Sequence, residues 1–103
     1  MDLMKVKRWR IEKRNINDLI NHPKNPRKLS IDDERQLAKS IDKFGLIDLP
    51  VINHDNRVIG GHQRLRILQD MLVTTVDCWV PDGSELTDDE IDELNIRLNR
   101  NQG

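Results

Sequence analysis

The sequence predicts an α+β domain, a small mixed sheet with flanking helices. Three observations carry that prediction. Val6–Glu12 and Val73–Val80 read as strands, and Val51-Ile52 with Arg57-Val58-Ile59 reads as a hairpin. Three other stretches repeat their apolar residues at helical spacing. The resulting order is strand, helix, hairpin, helix, strand, helix, which is not the regular alternation of a doubly wound sheet.

In the first strand, alternation places Trp9 and Ile11 on one face and Val6, Arg8 and Arg10 on the other, so Trp9 and Ile11 are expected in the core. Asn15–Ile20 is expected to form one helical turn capped by Asn15 or Asn17. Asn21–Lys28 contains Pro23 and Pro26, which force extended backbone on His22 and Asn25 and stiffen the approach to Arg27. His22, without a visible partner, is expected at the surface. Ser30 caps the first helix, with Asp33 as its capping-box partner. Leu37, Ile41 and Phe44 form its buried stripe with Ala38 beside it, and Gly45 stops it. His54-Asp55-Asn56 is turn chemistry, and His54 is expected to be exposed at the hairpin tip. Val76, Cys78 and Val80 share the buried face of the last strand. Thr87 and Glu90 form a capping box, and Ile91, Leu94 and Leu98 form the stripe of the final helix, with Ile96 flanking.

A chain of 103 residues allows one domain with a modest core. No apolar run is long enough to span a membrane, and the N-terminus lacks the apolar core of a secretory signal. Cys78 is the lone cysteine, so no internal disulfide forms, and a cytoplasmic protein with a buried thiol is expected. No Cys/His clustering signals a metal site. The net charge is −1, with bases crowded between Lys5 and Lys28 and acids between Asp82 and Glu93. That balance argues against a general DNA-coating surface.

The chemistry concentrates at Arg57–Leu68. Val58 and Ile59 end a strand, Gly60 and Gly61 make the turn, and Leu65, Leu68 and Leu72 begin a helical stripe. A helix N-terminus offers free N–H groups and positive dipole to an anion. His62, Gln63, Arg64 and Arg66 lie in or beside that turn, which is expected to bind phosphate. The competing reading is a plain turn with arginines on a solvated face. No nucleophile–base–acid trio is evident. Glu34 and Glu93 are the carboxylates that could serve a metal or act as base, against the simpler reading of helix-surface acids.

Asn25-Pro26-Arg27, Leu37-Ala38-Lys39-Ser40-Ile41 with Gly45, Pro50-Val51, and Val58-Ile59-Gly60-Gly61-His62-Gln63-Arg64, in this order, resemble the ParB N-terminal (ParB/sulfiredoxin-like) domain. The resemblance covers residues 9–103, leaving 1–8 as an N-terminal extension that includes the start of the first strand. The lack of a stop signal past the last helix suits a piece of a longer protein. The resemblance implies that Arg27, Gly60, Gly61, His62, Gln63 and Arg64 bind nucleotide phosphates, with a nucleoside triphosphate and Mg²⁺ as cofactor. Sulfiredoxins carry a Gly-Gly-Cys-His-Arg run; His62 stands at their catalytic cysteine's place, which excludes that chemistry. Partitioning ParB proteins carry a Gly-Glu-Arg-Arg box, of which Gly61 and Arg64 match the ends. Their Glu-Asn-x-x-Arg helix has no clean counterpart in Asp92-Glu93-Leu94-Asn95-Ile96-Arg97. The Gly-His-x-Arg form is similar to the phage and prophage branch of ParB-like nucleases, also found fused to DNA methyltransferases.

The resulting expectation is a nucleotide- and phosphate-binding module of a phage-type DNA-processing or DNA-modification protein. Its implied partners are nucleotide, DNA and a fused or associated methyltransferase. The alternatives are a ParB-like nuclease, a phosphotransferase acting on free serine, and an adaptor that docks through its acidic last helix.

Overall fold

A computed structural model describes residues 6–23 and 28–101. Strand β1 spans Trp9–Asn15 and runs into a 3-10 turn at Ile16–Asp18. Helix α1 (Ile31–Phe44), the short strands β2 (Val51–Ile52) and β3 (Val58–Gly60), helix α2 (His62–Asp70), strand β4 (Thr75–Pro81) and helix α3 (Asp88–Asn101) follow. The four strands form one mixed sheet in the order β1-β4-β2-β3. β1 is antiparallel to β4, β2 parallel to β4 and β3 antiparallel to β2. The α+β class expected from the sequence is the one observed.

The expected caps are present. Asn15 accepts from the N–H of Asn17, and Ser30 accepts from the N–H of Asp33. Thr87 and Glu90 bond reciprocally, each side chain to the other's backbone N–H. Those bonds hold the Glu90 carboxyl below its ordinary pKa. Gly45 ends α1 at φ +82°, where a side chain would be strained.

The core has two parts. On one side of the sheet, Ile52, Val58, Val76, Cys78 and Val80 pack with Ile41 of α1 and Leu65, Ile67 and Leu68 of α2. Burial pushes the Cys78 thiol up to about 11, so it stays protonated and inert. On the other side, Ile59 packs with Leu86 and Ile91, flanked by Trp9, Val51, Leu94 and Leu98.

Four expectations are corrected. β1 begins later than expected and continues to Asn15, because Ile16 N–H still reaches Thr74 O (2.9 Å). Its faces also differ from expectation at Ile11, though not at Trp9, which packs against the second part of the core. Register sets Arg10, Glu12 and Arg14 opposite Val80, Cys78 and Val76, and opposed residues share a face. Arg10, Glu12 and Arg14 therefore close the edge of the helix-covered side as an ion-pair chain, which lowers the Glu12 pKa through Arg14 and Arg10. Ile11 lies beside Trp79 on the other face and is 54% exposed. Phe44 is 64% exposed, its ring covered by Lys43 Nζ at 5.1 Å from the centroid instead of by the core. His54 is not free at the tip: its Nε2–H donates to Pro81 O (2.7 Å), tying the hairpin to β4.

The two glycines at the β3–α2 junction have different reasons. A Cβ at Gly60 would lie 2.7 Å from Leu98 Cδ1, so this glycine makes room for α3. Gly61 sits at φ +88°, and a Cβ there would lie 3.0 Å from the Pro50 Cα. Gly61→Ala combines backbone strain with a backbone clash and should cost about 2–3 kcal/mol. Gly60→Ala meets the movable end of a leucine and should cost about 1 kcal/mol. Urea denaturation of both variants checks this order.

Candidate functional site

Gly61 in the left-handed conformation turns the chain from β3 directly into α2, whose first residues are His62, Gln63 and Arg64. No side chain caps this helix end. Its first N–H groups are therefore without the usual intrahelical partners, as expected of an anion-accepting turn.

Beside this end lies a cavity of about 230 Å³. α2 contributes His62, Gln63, Leu65, Arg66 and Gln69 to its wall. The opposite wall comes from Ile16, Leu19, Asn21 and His22. The polar residues of α2 reach it because positions 62, 65, 66 and 69 share one helix face, with Leu65 at the boundary between the cavity and the core and Leu68 turned fully to the core. A smaller hollow next to it is lined by Leu29, Glu34, Gln63 and Arg66. Gln63 and Arg66 thus border both.

His62 is 8% exposed. Its Nε2 accepts the backbone N–H of His22 (3.2 Å), which places the ring proton on Nδ1. Nδ1 has no hydrogen-bond partner among the described residues. Burial, aided by the nearby His22, pushes the His62 pKa down from 6.5 to about 4. His62 is therefore a neutral donor at physiological pH. His22 is buried rather than superficial, which corrects the sequence expectation: its Nε2–H donates to Asp92 Oδ1 of α3 (2.9 Å).

Of the residues expected at the site, His62 and Gln63 line the cavity. Arg64 points elsewhere on the helix, with Nη2 3.2 Å from Asp48 Oδ2, its side chain mostly buried. Gly60 and Gly61 shape the turn from behind. Arg27 lies outside the described residues, in the segment between His22 and Leu29, which border the cavity and the hollow respectively. Glu34 lines the hollow, whereas Glu93 pairs with Arg97 on the outer face of α3.

Sequence reasoning missed Asn21, His22, Gln69, Asp92 and Asn95, and it named Arg66 without assigning it to the site. Asn95 is buried, and its Nδ2 donates to Ile59 O (2.8 Å), one residue before Gly60. Its signal was available: an asparagine inside the stripe Ile91, Leu94, Leu98 must find a buried partner. His22 carried no such signal, because its partners lie 40 and 70 residues away.

No family model matches the chain, and no curated protein matches it. Solved structures do. The chain is similar to the C-terminally truncated chromosome-partitioning protein ParB of Caulobacter crescentus complexed with CTP-γ-S, with a TM-score of 0.74 and 23% identity over 90% of this chain and 54% of that one. A pNOB8-like ParB N-domain gives a TM-score of 0.73 and 21% identity over 96% and 37%. The truncated Caulobacter ParB complexed to the centromeric parS site gives 0.66 and 22% over 85% and 46%. The chain thus spans about a third to a half of these structures. The fold is that of a ParB N-domain.

The buried neutral His62 makes stability pH-dependent. Its proton affinity is lower folded than unfolded, so its contribution is full above pH 6.5 and drains away as pH falls toward 4. Between pH 7.5 and 5 the unfolding free energy should fall by about 2 kcal/mol from this group. His62→Gln should remove that slope, as read from denaturant midpoints at each pH.

Proposed function

We propose that this chain is a ParB-like nucleotide- and phosphate-binding module. The observation that carries the reading is the donor-rich cavity at the start of α2. A similar fold in Caulobacter ParB was solved with CTP-γ-S, which supports a nucleotide as the guest. In this reading the N–H groups at the start of α2, from Gly61, His62 and Gln63, receive phosphate oxygens, and the His62 Nδ1–H supplies a further donor. Arg66 adds charge from the cavity wall, Arg64 adds charge at the helix start, and Arg27 closes from the proline-stiffened loop. Residues 9–103 make up the module and 1–8 extend it.

The donor set suits a polyphosphate. No cluster of metal-holding side chains occurs among the described residues. A Mg²⁺ would accordingly be held mainly by the nucleotide's phosphates and water, screening their charge. The wider role is that of a phage-type DNA-processing or DNA-modification protein, with DNA and a fused or associated methyltransferase as partners. The Caulobacter ParB complex with parS supports a DNA connection for this fold. The described residues contain no helix long and apolar enough to cross a membrane.

A second reading, a nuclease or a phosphotransferase acting on free serine, draws on two carboxylates close to the cavity. Asp92 bonds His22, and Glu34 shares the hollow with Gln63 and Arg66. Either could take a proton from an attacking hydroxyl or water. Incubation with ATP and serine, or with plasmid DNA, separates this reading from binding alone.

Titration calorimetry with CTP, ATP and a short DNA duplex, with and without Mg²⁺, tests the main reading. A nucleotide should bind, more weakly as salt rises. Arg64→Ala and Arg66→Ala should each weaken it about tenfold or more, the worth of a charge-assisted hydrogen bond. Absence of binding by every one of these compounds at millimolar concentration sinks the proposal.

A further inference from the structure

The sheet has one long open edge. β1 is its outermost strand, and no strand pairs with its outer side among the described residues. Which backbone groups face outward follows from the register. Asp82 N–H donates to Arg8 O and Ile16 N–H donates to Thr74 O, and both pairs continue the β1–β4 ladder. In an antiparallel ladder hydrogen-bonded pairs recur at every second residue. Arg10, Glu12 and Arg14 therefore bond inward to β4. Trp9, Ile11, Lys13 and Asn15 present their N–H and C=O groups outward.

We propose that this edge pairs with the same edge of a second copy, antiparallel across a two-fold axis at Ile11. In that register Ile11 faces the partner's Ile11, and Trp9 faces the partner's Lys13. All of these residues carry outward groups, so each opposed pair can exchange N–H···O bonds. On the other face, Arg10 meets the partner's Glu12, and Glu12 meets the partner's Arg10. Lys13, whose Nζ lies 3.7 Å from Asp77 Oδ1 in its own chain in an exposed, weak pair, comes over the partner's Trp9 ring as a cation–π pair. Ile11, 54% exposed in a single chain, then packs side by side with the partner's Ile11 at the axis.

Neighbouring registers are worse. An axis at Glu12 sets Glu12 on Glu12 and Arg10 on Arg14. An axis at Lys13 sets Lys13 on Lys13 and, although it brings Glu12 opposite the partner's Arg14, it sets the exposed Ile11 against Asn15 instead of against itself; one at Arg10 sets Arg10 on Arg10. Like charges directly opposed disfavour pairing. The chosen register has one kind of such contact, Arg8 with the partner's Arg14, made twice by symmetry at the two margins of the overlap. There Arg14 is already held by Glu12 and Asn56. The overlap is short, so half-dimerisation is expected near ~0.1 mM chain. β1 and β3, which leads into the cavity, are opposite edges of the sheet.

Sedimentation velocity of the 103-residue chain between ~10 µM and ~1 mM tests this. The average mass should rise toward twice that of one chain. Lys13→Pro removes one outward N–H and none of the β4 ladder, and proline is tolerated at such edge positions. It should stay monomeric with an unchanged thermal melt. Ile11→Lys, at an exposed position, should do the same and serves if the proline variant fails to fold. Glu12→Arg and Arg10→Glu should each be monomeric alone, because each places like charges across the axis. Mixed together they should form a heterodimer, because the cross-strand pairs become complementary again. A wild-type chain that stays monomeric at the highest concentration overturns the proposal. So does a dimer that survives both Lys13→Pro and Ile11→Lys. A dimer lost in those variants but not recovered in the charge-swapped mixture overturns the register.

Discussion

The close approach of α3 to the β3–α2 junction is the constraint on which the site depends. It is possible because position 60 lacks a side chain, leaving room for Leu98. Once α3 is seated there, Asn95 bonds the Ile59 carbonyl and Asp92 bonds His22. His22 in turn donates its N–H to His62. A single helix thus holds the strand end, the loop opposite and, through that loop, the first residue of α2. Packing against glycine supplies the position, and buried polar bonds supply the orientation.

The same polar chain accounts for the character of His62. A histidine that must accept one hydrogen bond with Nε2 cannot be doubly protonated without losing it. Burial reinforces this by penalising the imidazolium. The ring is thereby held as a neutral donor whose Nδ1 lacks a partner among the described residues. An orphaned buried donor costs stability.

Charge is organised differently at the two edges of the sheet. At β1 the arginines are neutralised at once: Arg10 and Arg14 both bond Glu12, and Arg10 also reaches Asp82. The basic N-terminal stretch evident in the sequence is therefore largely self-paired at β1. Near the cavity, Arg66 borders both hollows, and the mostly buried Arg64 donates directly to Asp48 Oδ2, whose carboxylate is exposed. Net charge alone conceals this contrast.

Local chemistry was legible in the sequence. Caps at Asn15, Ser30 and Thr87, the stop at Gly45, the hairpin and the glycine turn into α2 all depend on residues within a few positions of one another. Alternation also marked Val76, Cys78 and Val80 as the buried face of β4, because both neighbours of that strand are in the sheet. Alternation placed Trp9 correctly but misassigned Ile11, because both faces of this edge strand border a part of the core and nothing local records where along the strand the cover ends. The residues that complete the site were invisible for a similar reason. His22, Asp92 and His62 are far apart in the chain, and no local pattern records their meeting. The sequence by itself determined which elements form and where α2 begins. The tertiary structure alone decided where along β1 the cover ends and which side chains converge on the cavity, because both follow from register and from how closely α3 approaches Gly60.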